Sequence, residues 1–284
     1  YPLTLGPAAV QPLEKILKGT TLGTVSVLVF FSISGFFIAR SFDRKASLRT
    51  FVLARVLRLF PALAVVLAVT IVVAGLFLTQ ASPSVFWARA DDYFLRNLTL
   101  FQLLYPLPGV FMNNPYGPGI NGSLWTLSYE VLCYIGVFIC GVLGLLRRPR
   151  AFVFAVLGFL GLYAIALAFD LHPRFEALMK LGLPFLTGMA FYVWRRSIPL
   201  SPFISLALFV IAAAFWITPL FLPVFTIALT YAVFVVGYAK SPIAEKYNTL
   251  GDYSYGTYIY AFPIQQIVAQ SGVESPLMNM AVAF

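Results

Sequence analysis

Histidine is almost absent from this chain. His172 is the only one in 284 residues, which excludes a metal site built on a histidine cluster. Cysteine is nearly as scarce. Cys133 and Cys140 sit seven residues apart in one apolar run, on a shared helical face and too far apart to bridge, so there is no disulfide framework and no record of redox compartment. Charge is the third shortage: 10% of residues are Asp, Glu, Lys or Arg, against roughly 25% in a soluble domain. So few charges cannot cover a water-soluble body of this size. The opening stretch YPLTLGPAAVQPLEKILKG has no charged segment followed by a short apolar core, so no signal peptide is visible. Internal repeats and low-complexity tracts are missing as well.

What is present is apolar. Hydrophobic residues make up 61% of the chain and the mean hydropathy is +0.90, the composition of an integral membrane protein. A bilayer core takes about 20 apolar residues as helix. Candidate spans lie at 23–40, 61–80, 123–146, 151–169, 181–194, 201–218, 220–239 and 253–270. Connections are short except for 81–122, expected to be a loop of about forty residues.

Eight spans put 41–60, 147–150, 195–200 and 240–252 on one side, with Arg40 at its edge. That side carries thirteen basic residues: Arg40, Arg44, Lys45, Arg49, Arg55, Arg58, Arg147, Arg148, Arg150, Arg195, Arg196, Lys240 and Lys246. Its three acids are Asp43, Glu245 and Asp252. The other side balances six basic residues (Lys15, Lys18, Arg89, Arg96, Arg174, Lys180) with six acids (Glu14, Asp91, Asp92, Asp170, Glu176, Glu274). Excess positive charge marks the cytoplasmic face. The basic residues are thus membrane anchors or a cytoplasmic anion site, and nucleic acid is excluded as a partner. Tyr1 then lies outside the cytoplasm. A further span is expected ahead of it, and another is expected to begin at MNMAVAF at the other end.

Four places break the rules of a membrane span. The first is Glu130, in NGSLWTLSYEVLCY. If that span starts near Ser123, the carboxylate lies ~10 Å below the outer surface. Thr126, Cys133 and Tyr134 share its helical face and offer hydroxyl and thiol partners. Acids inside spans face cavities or bundle interiors and mark function; the alternative is a carboxylate that only holds helices together. Such a group can serve as a base or orient one.

The second is FVLARVLRLFP, where Arg55 and Arg58 are three apart and point the same way. They read either as a phosphate clamp or as two more positive-inside anchors, with Pro61 opening the next span. The third is LPGVFMNNPYGPGINGSLW, a Gly-, Pro- and Asn-rich turn region ending in Trp125, a residue suited to the membrane interface. Asn97-Leu-Thr and Asn121-Gly-Ser in this neighbourhood match the short N-glycosylation pattern. The fourth is GDYSYGTYIYAFPIQQ, where tyrosines alternate with small residues: Gln265 and Gln266 in mid-span point to a lined cavity, and the alternative is an ordinary Tyr-rich helix start at the interface. His172, in DLHPRF, reads as a solvated loop residue.

Taken in order, VFFSISGFFIARSF, FVLARVLRLFPAL, NGSLWTLSYEVLCY and YSYGTYIYAFPIQ resemble the motifs of the membrane-bound acyltransferase-3 family, ten-span O-acyltransferases of bacterial glycans. The resemblance covers almost the whole chain and implies an all-α polytopic helix bundle, a single transmembrane acyltransferase domain over 1–284. It implies acyl-coenzyme A, acetyl-CoA in particular, as donor with no metal, and a carbohydrate or glycolipid hydroxyl as acceptor on the outer side. The setting implied is the bacterial inner membrane. Arg55 and Arg58 match the arginines associated with the coenzyme A phosphates, and Glu130 matches the acid that partners a catalytic histidine. Ser123 and Trp125 belong to the same motif, and Tyr134 and Tyr258 are expected to line the site. Two departures stand out. The family histidine belongs to a first span that would precede YPLTLGP, and His172 fits no motif. The histidine frequent in the late motif is Ala261 here. Without that first span, the chain as written is expected to be catalytically incomplete.

The reading is therefore an integral membrane O-acyltransferase. A transporter or lipid-linked sugar flippase, using Glu130 for proton coupling, is the rival from another class. Its usual internal repeats and paired broken helices are not found. An inactive structural relative is a third possibility that Ala261 keeps open.

Overall fold

The structure is a computed structural model that describes residues 2–6, 9–11, 13–17, 19–44, 47–169, 171–239 and 253–283. Lys18, Lys45, Asp170, Lys240, Glu245, Lys246 and Asp252, all part of the charge argument, lie outside the described residues. The described chain is helical, its only β feature an isolated bridge between Pro106 and Gly119. In order the helices are α1 (Pro2–Leu5), α2 (Leu22–Arg44), α3 (Leu48–Val73), α4 (Pro83–Thr99), α5 (Trp125–Val142), α6 (Pro149–Ala168), α7 (Pro173–Val193), α8 (Pro202–Ala214), α9 (Phe221–Gly237), α10 (Ser254–Gln270) and α11 (Pro276–Ala283). Among the described residues four helical stretches are long and apolar enough to cross a membrane: Leu22–Arg44, Leu48–Leu78, Gly122–Val142 and Pro149–Ala168. The protein is thus a multi-pass membrane protein.

Several boundaries differ from those expected. Pro61 does not open a span: it lies inside α3, which starts at Leu48 and continues through a π-helical turn, Ala74–Leu78. A proline in a helix interior removes one backbone hydrogen bond, a loss that membrane helices tolerate. Arg55 and Arg58 are therefore on the spanning helix itself. The connection 81–122 is not all loop, because it contains α4. Ser82 and Pro83 start that helix, and Leu100 ends it in the left-handed region at φ 58°. Phe86, Ala90, Tyr93 and Asn97 are buried at helical spacing, while Arg89, Asp91 and Arg96 are exposed. The fifth candidate starts earlier than expected and carries Pro184 inside α7. The sixth and seventh are shorter, 13 and 17 residues.

Two compact units divide the chain. The first comprises Tyr1–Gly19, Leu53–Ser128 and Asn248–Phe284, the second Thr20–Val52 and Tyr129–Tyr247. In the second, α2 and α7 approach closely enough to exclude side chains. A Cβ on Gly35 would stand 2.0 Å from the Phe185 carbonyl oxygen, and one on Gly188 would stand 2.0 Å from that of Ser32. Small residues at such a crossing replace the hydrophobic drive that lipid cannot provide. The Ser32 and Thr230 hydroxyls, 2.8 Å apart, tie α2 to α9, and Phe191 stacks on Phe234 at 4.5 Å. At the end of α2, Asp43 accepts from Arg147 at 2.7 Å and from the Tyr192 hydroxyl at 2.6 Å.

In the first unit α4 packs beside the π-helical turn, where Gly75 leaves room for the Phe86 and Trp87 rings. The Asn97 amide then fixes the chain beyond the helix, donating to Leu104 O at 2.8 Å and accepting from Leu104 N at 3.1 Å. Asn97 and Asn121 are both buried with their amides in use. Neither is a glycosylation acceptor in this fold.

Candidate active site

Asn121 opens the segment that carries the acid. Its Oδ1 accepts from Ser123 N at 3.1 Å, starting a single 3-10 turn, Gly122–Leu124, that runs into α5 at Trp125. From there the 3.6-residue repeat decides which side chains share a face. Thr126, Glu130, Cys133 and Tyr134 share one and are all buried. Trp125 is 40% exposed.

Glu130, in the second unit, is 4% exposed. The Tyr134 hydroxyl, one turn further along, donates to its Oε1. A hydrogen bond to an ionised carboxylate is about twice as strong as a neutral one. Tyr134 is thus one of the partners the spacing offered. Thr126 belongs to the first unit, and its hydroxyl is engaged there.

There Thr126 meets Tyr258 of α10. Their hydroxyls are 2.6 Å apart, and both lie within reach of the Ser123 carbonyl, Tyr258 at 3.0 Å and Thr126 at 3.2 Å. The three atoms form a closed triangle that joins the start of α5 to α10. Ser123 enters it through its backbone oxygen.

Arg55 is half-buried and Arg58 exposed on α3. Arg58 borders an open cleft of about 490 Å³ with Ala62, Tyr253, Tyr255, Gly256 and Thr257, within the range of roughly 300–1,000 Å³ usual for ligand pockets. The Tyr255 hydroxyl donates to Leu59 O at 3.0 Å and ties the first turn of α10 to the arginine-bearing turn of α3. Arg58 supplies a cation at this mouth, and Arg55 is not among the residues that line it. Among the described residues no group of three His, Cys, Asp or Glu side chains could hold a metal ion.

Two expectations change. Gln266 does not line a cavity: it is fully buried, and its amide nitrogen donates to Tyr116 O at 3.1 Å and Gly119 O at 2.6 Å. His172 is exposed, as expected, but it also caps α7, its Nδ1 accepting from Arg174 N at 3.2 Å. Asn114 was not singled out in the sequence and Asn121 only as a glycosylation match, and both turn out to hold the segment before α5.

A family model described as an acyltransferase domain matches residues 2–284. The chain belongs to the acyltransferase-3 family. This acyltransferase is 30% identical over 275 residues to an O-acetyl transferase of Shigella phage Sf6, an alignment covering 91% of this chain and 78% of that protein. It is also similar to nodulation protein 10 of Rhizobium leguminosarum bv. viciae, 29% identical over 178 residues, 61% of this chain and 47% of that one. Acyltransferase MdmB of Streptomyces mycarofaciens is 32% identical over 121 residues, 42% of this chain and 29% of that one. No solved structure matches. Family and relatives together make the protein a membrane O-acyltransferase.

Proposed function

We propose that this acyltransferase moves an acetyl group from acetyl-coenzyme A, bound at the cytoplasmic side of a bacterial inner membrane, to a hydroxyl of a carbohydrate or glycolipid on the opposite side. The acceptor oxygen adds to the thioester carbonyl and its proton passes to a base. The C–S bond then breaks, and the coenzyme leaves as a thiolate that takes up a proton. Glu130 is assigned the proton side of this exchange, either as the base or as the group that orients it. Arg55 and Arg58 are assigned the coenzyme phosphates, for which paired guanidinium groups are suited. Ser123, Trp125 and Tyr258 are assigned to the acceptor end. An acetyl donor is favoured by the O-acetyl transferase that aligns with 91% of this chain.

The observation that carries the assignment is the burial of Glu130 in a membrane-capable helix, held by Tyr134. A carboxylate there is costly unless it has a job. Glu130→Gln in the full-length protein is expected to abolish acyl transfer to the glycan while the protein accumulates in the membrane at the wild-type level. Transfer that persists in this variant would remove Glu130 from the chemistry.

A further inference from the structure

The geometry points to Asn121, Asn114 and Gln266 as positioning residues for acyl transfer, on the reading above that the start of α5 faces the acceptor. The origin of the arrangement is Pro263, inside α10. Proline has no N–H, so the carbonyl four residues earlier, that of Ile259, loses its helical donor. Ile259 is fully buried, and a buried carbonyl left without a donor is costly. The Asn121 amide takes the vacant place at 2.9 Å, from 138 residues away in the chain. Its other atom, Oδ1, is the one that starts the turn into α5. One side chain thus repairs α10 and sets the entry of α5.

Two turns further along α10, Gln266 repeats the device. Both of its amide protons go to the segment, to Tyr116 O and Gly119 O, and its Oε1 accepts from Asn114 Nδ2 at 2.9 Å. Asn114 Nδ2 also donates to the backbone oxygen of Gln266 at 2.9 Å. Between the two fastenings the Phe262 ring lies against Gly122, where a Cβ would come within 2.6 Å of it. Ile259, Phe262 and Gln266 fall at i, i+3 and i+7, one face of a helix. The 114–121 segment has no helix of its own and, together with Gly122, is fastened to that face at three heights. What it holds still is the Ser123–Thr126–Tyr258 triangle. A misplacement of about 1 Å, even one made far from the chemistry, can cost on the order of 10²-fold in rate.

The test uses the full-length protein in detergent or membranes and the variants Asn121→Ala, Pro263→Ala and their combination. Pro263→Ala returns an N–H at 263, so Ile259 O no longer depends on Asn121. If Asn121 positions the segment, Asn121→Ala lowers both the melting temperature and kcat. In the Pro263→Ala background the melting loss disappears while the kcat loss, on the order of 10²-fold, remains. Recovery of kcat together with melting temperature would reduce Asn121 to a structural plug and overturn the proposal. Hydrogen exchange across 114–123 gives a reading independent of turnover. It is expected to speed up in Asn121→Ala and in Gln266→Leu, and unchanged exchange in both would overturn the fastening itself. If the wild-type protein shows the slow exchange but transfers nothing from acetyl-CoA, the substrate assignment fails, and the exchange data still decide the fastening.

Discussion

At the scale of single residues, Tyr134 is the group whose contribution can be separated from that of Glu130. Its hydroxyl donates to the carboxylate and the side chain is buried, so Tyr134→Phe removes that hydrogen bond and little volume. A hydrogen bond to a charged group contributes about 1.5–3 kcal/mol, and about 1.4 kcal/mol is tenfold in rate. Tyr134→Phe is therefore expected to reduce acyl transfer by roughly tenfold or more without abolishing it, measured as turnover per unit of membrane protein. Wild-type turnover in that variant would mean the bond does not orient the acid. This pair was legible in the sequence because its members are four apart on one helix, a spacing that local geometry fixes. The contact between Asn121 and Ile259 was not. Pro263 does announce which carbonyl it frees, but nothing local tells which of the many amides in the chain will fill the place.

Among helices, the closest approach is that of α2 and α7. Gly35 and Gly188 have a facing carbonyl oxygen where a side chain would begin, and a backbone cannot step aside as a flexible side chain can. Gly188→Ala and Gly35→Ala are each expected to destabilise the protein by about 1–3 kcal/mol, the usual cost of overpacking, read as a lower melting temperature in detergent. Gly158→Ala on α6 is the control. Nothing lies within 4 Å of its Cβ position, and alanine is the better helix former by ~1 kcal/mol, so stability there should hold or rise. Equal loss at all three positions would mean that α2 and α7 do not pack this closely. The helices themselves were largely legible from apolar runs of spanning length. Three features were not. Pro61 reads as a helix start by propensity but lies within α3. The α4 segment has too mixed a composition to register as a span, although its buried face is periodic. The α7 helix includes Glu176 and Lys180 in its first turns, which hid its beginning from a search for apolar runs.

For the whole molecule, the question is how the charge asymmetry maps onto the membrane. A topology built on eight spans depends on every span, and four of the expected eight are long and apolar enough by themselves among the described residues. A sharper version depends on one helix. Between Arg148 and Arg174 only α6 intervenes. It buries Phe152 and Tyr163 and leaves Phe154, Leu157, Leu160 and Ile165 exposed, as a helix facing lipid would. Its 20 residues extend ~30 Å, the thickness of a bilayer core. Arg148 stands among the basic residues 147–150, whereas Arg174 stands beside Glu176. On the positive-inside rule Arg148 is therefore expected in the cytoplasm and Arg174 outside it. In intact cells, a maleimide that cannot cross the membrane is expected to label Arg174→Cys and to leave Arg148→Cys unlabelled until the cells are opened. Labelling in the reverse order would invert the assigned donor and acceptor sides. Labelling of both in intact cells would mean that α6 does not cross the membrane, whatever the remaining helices do.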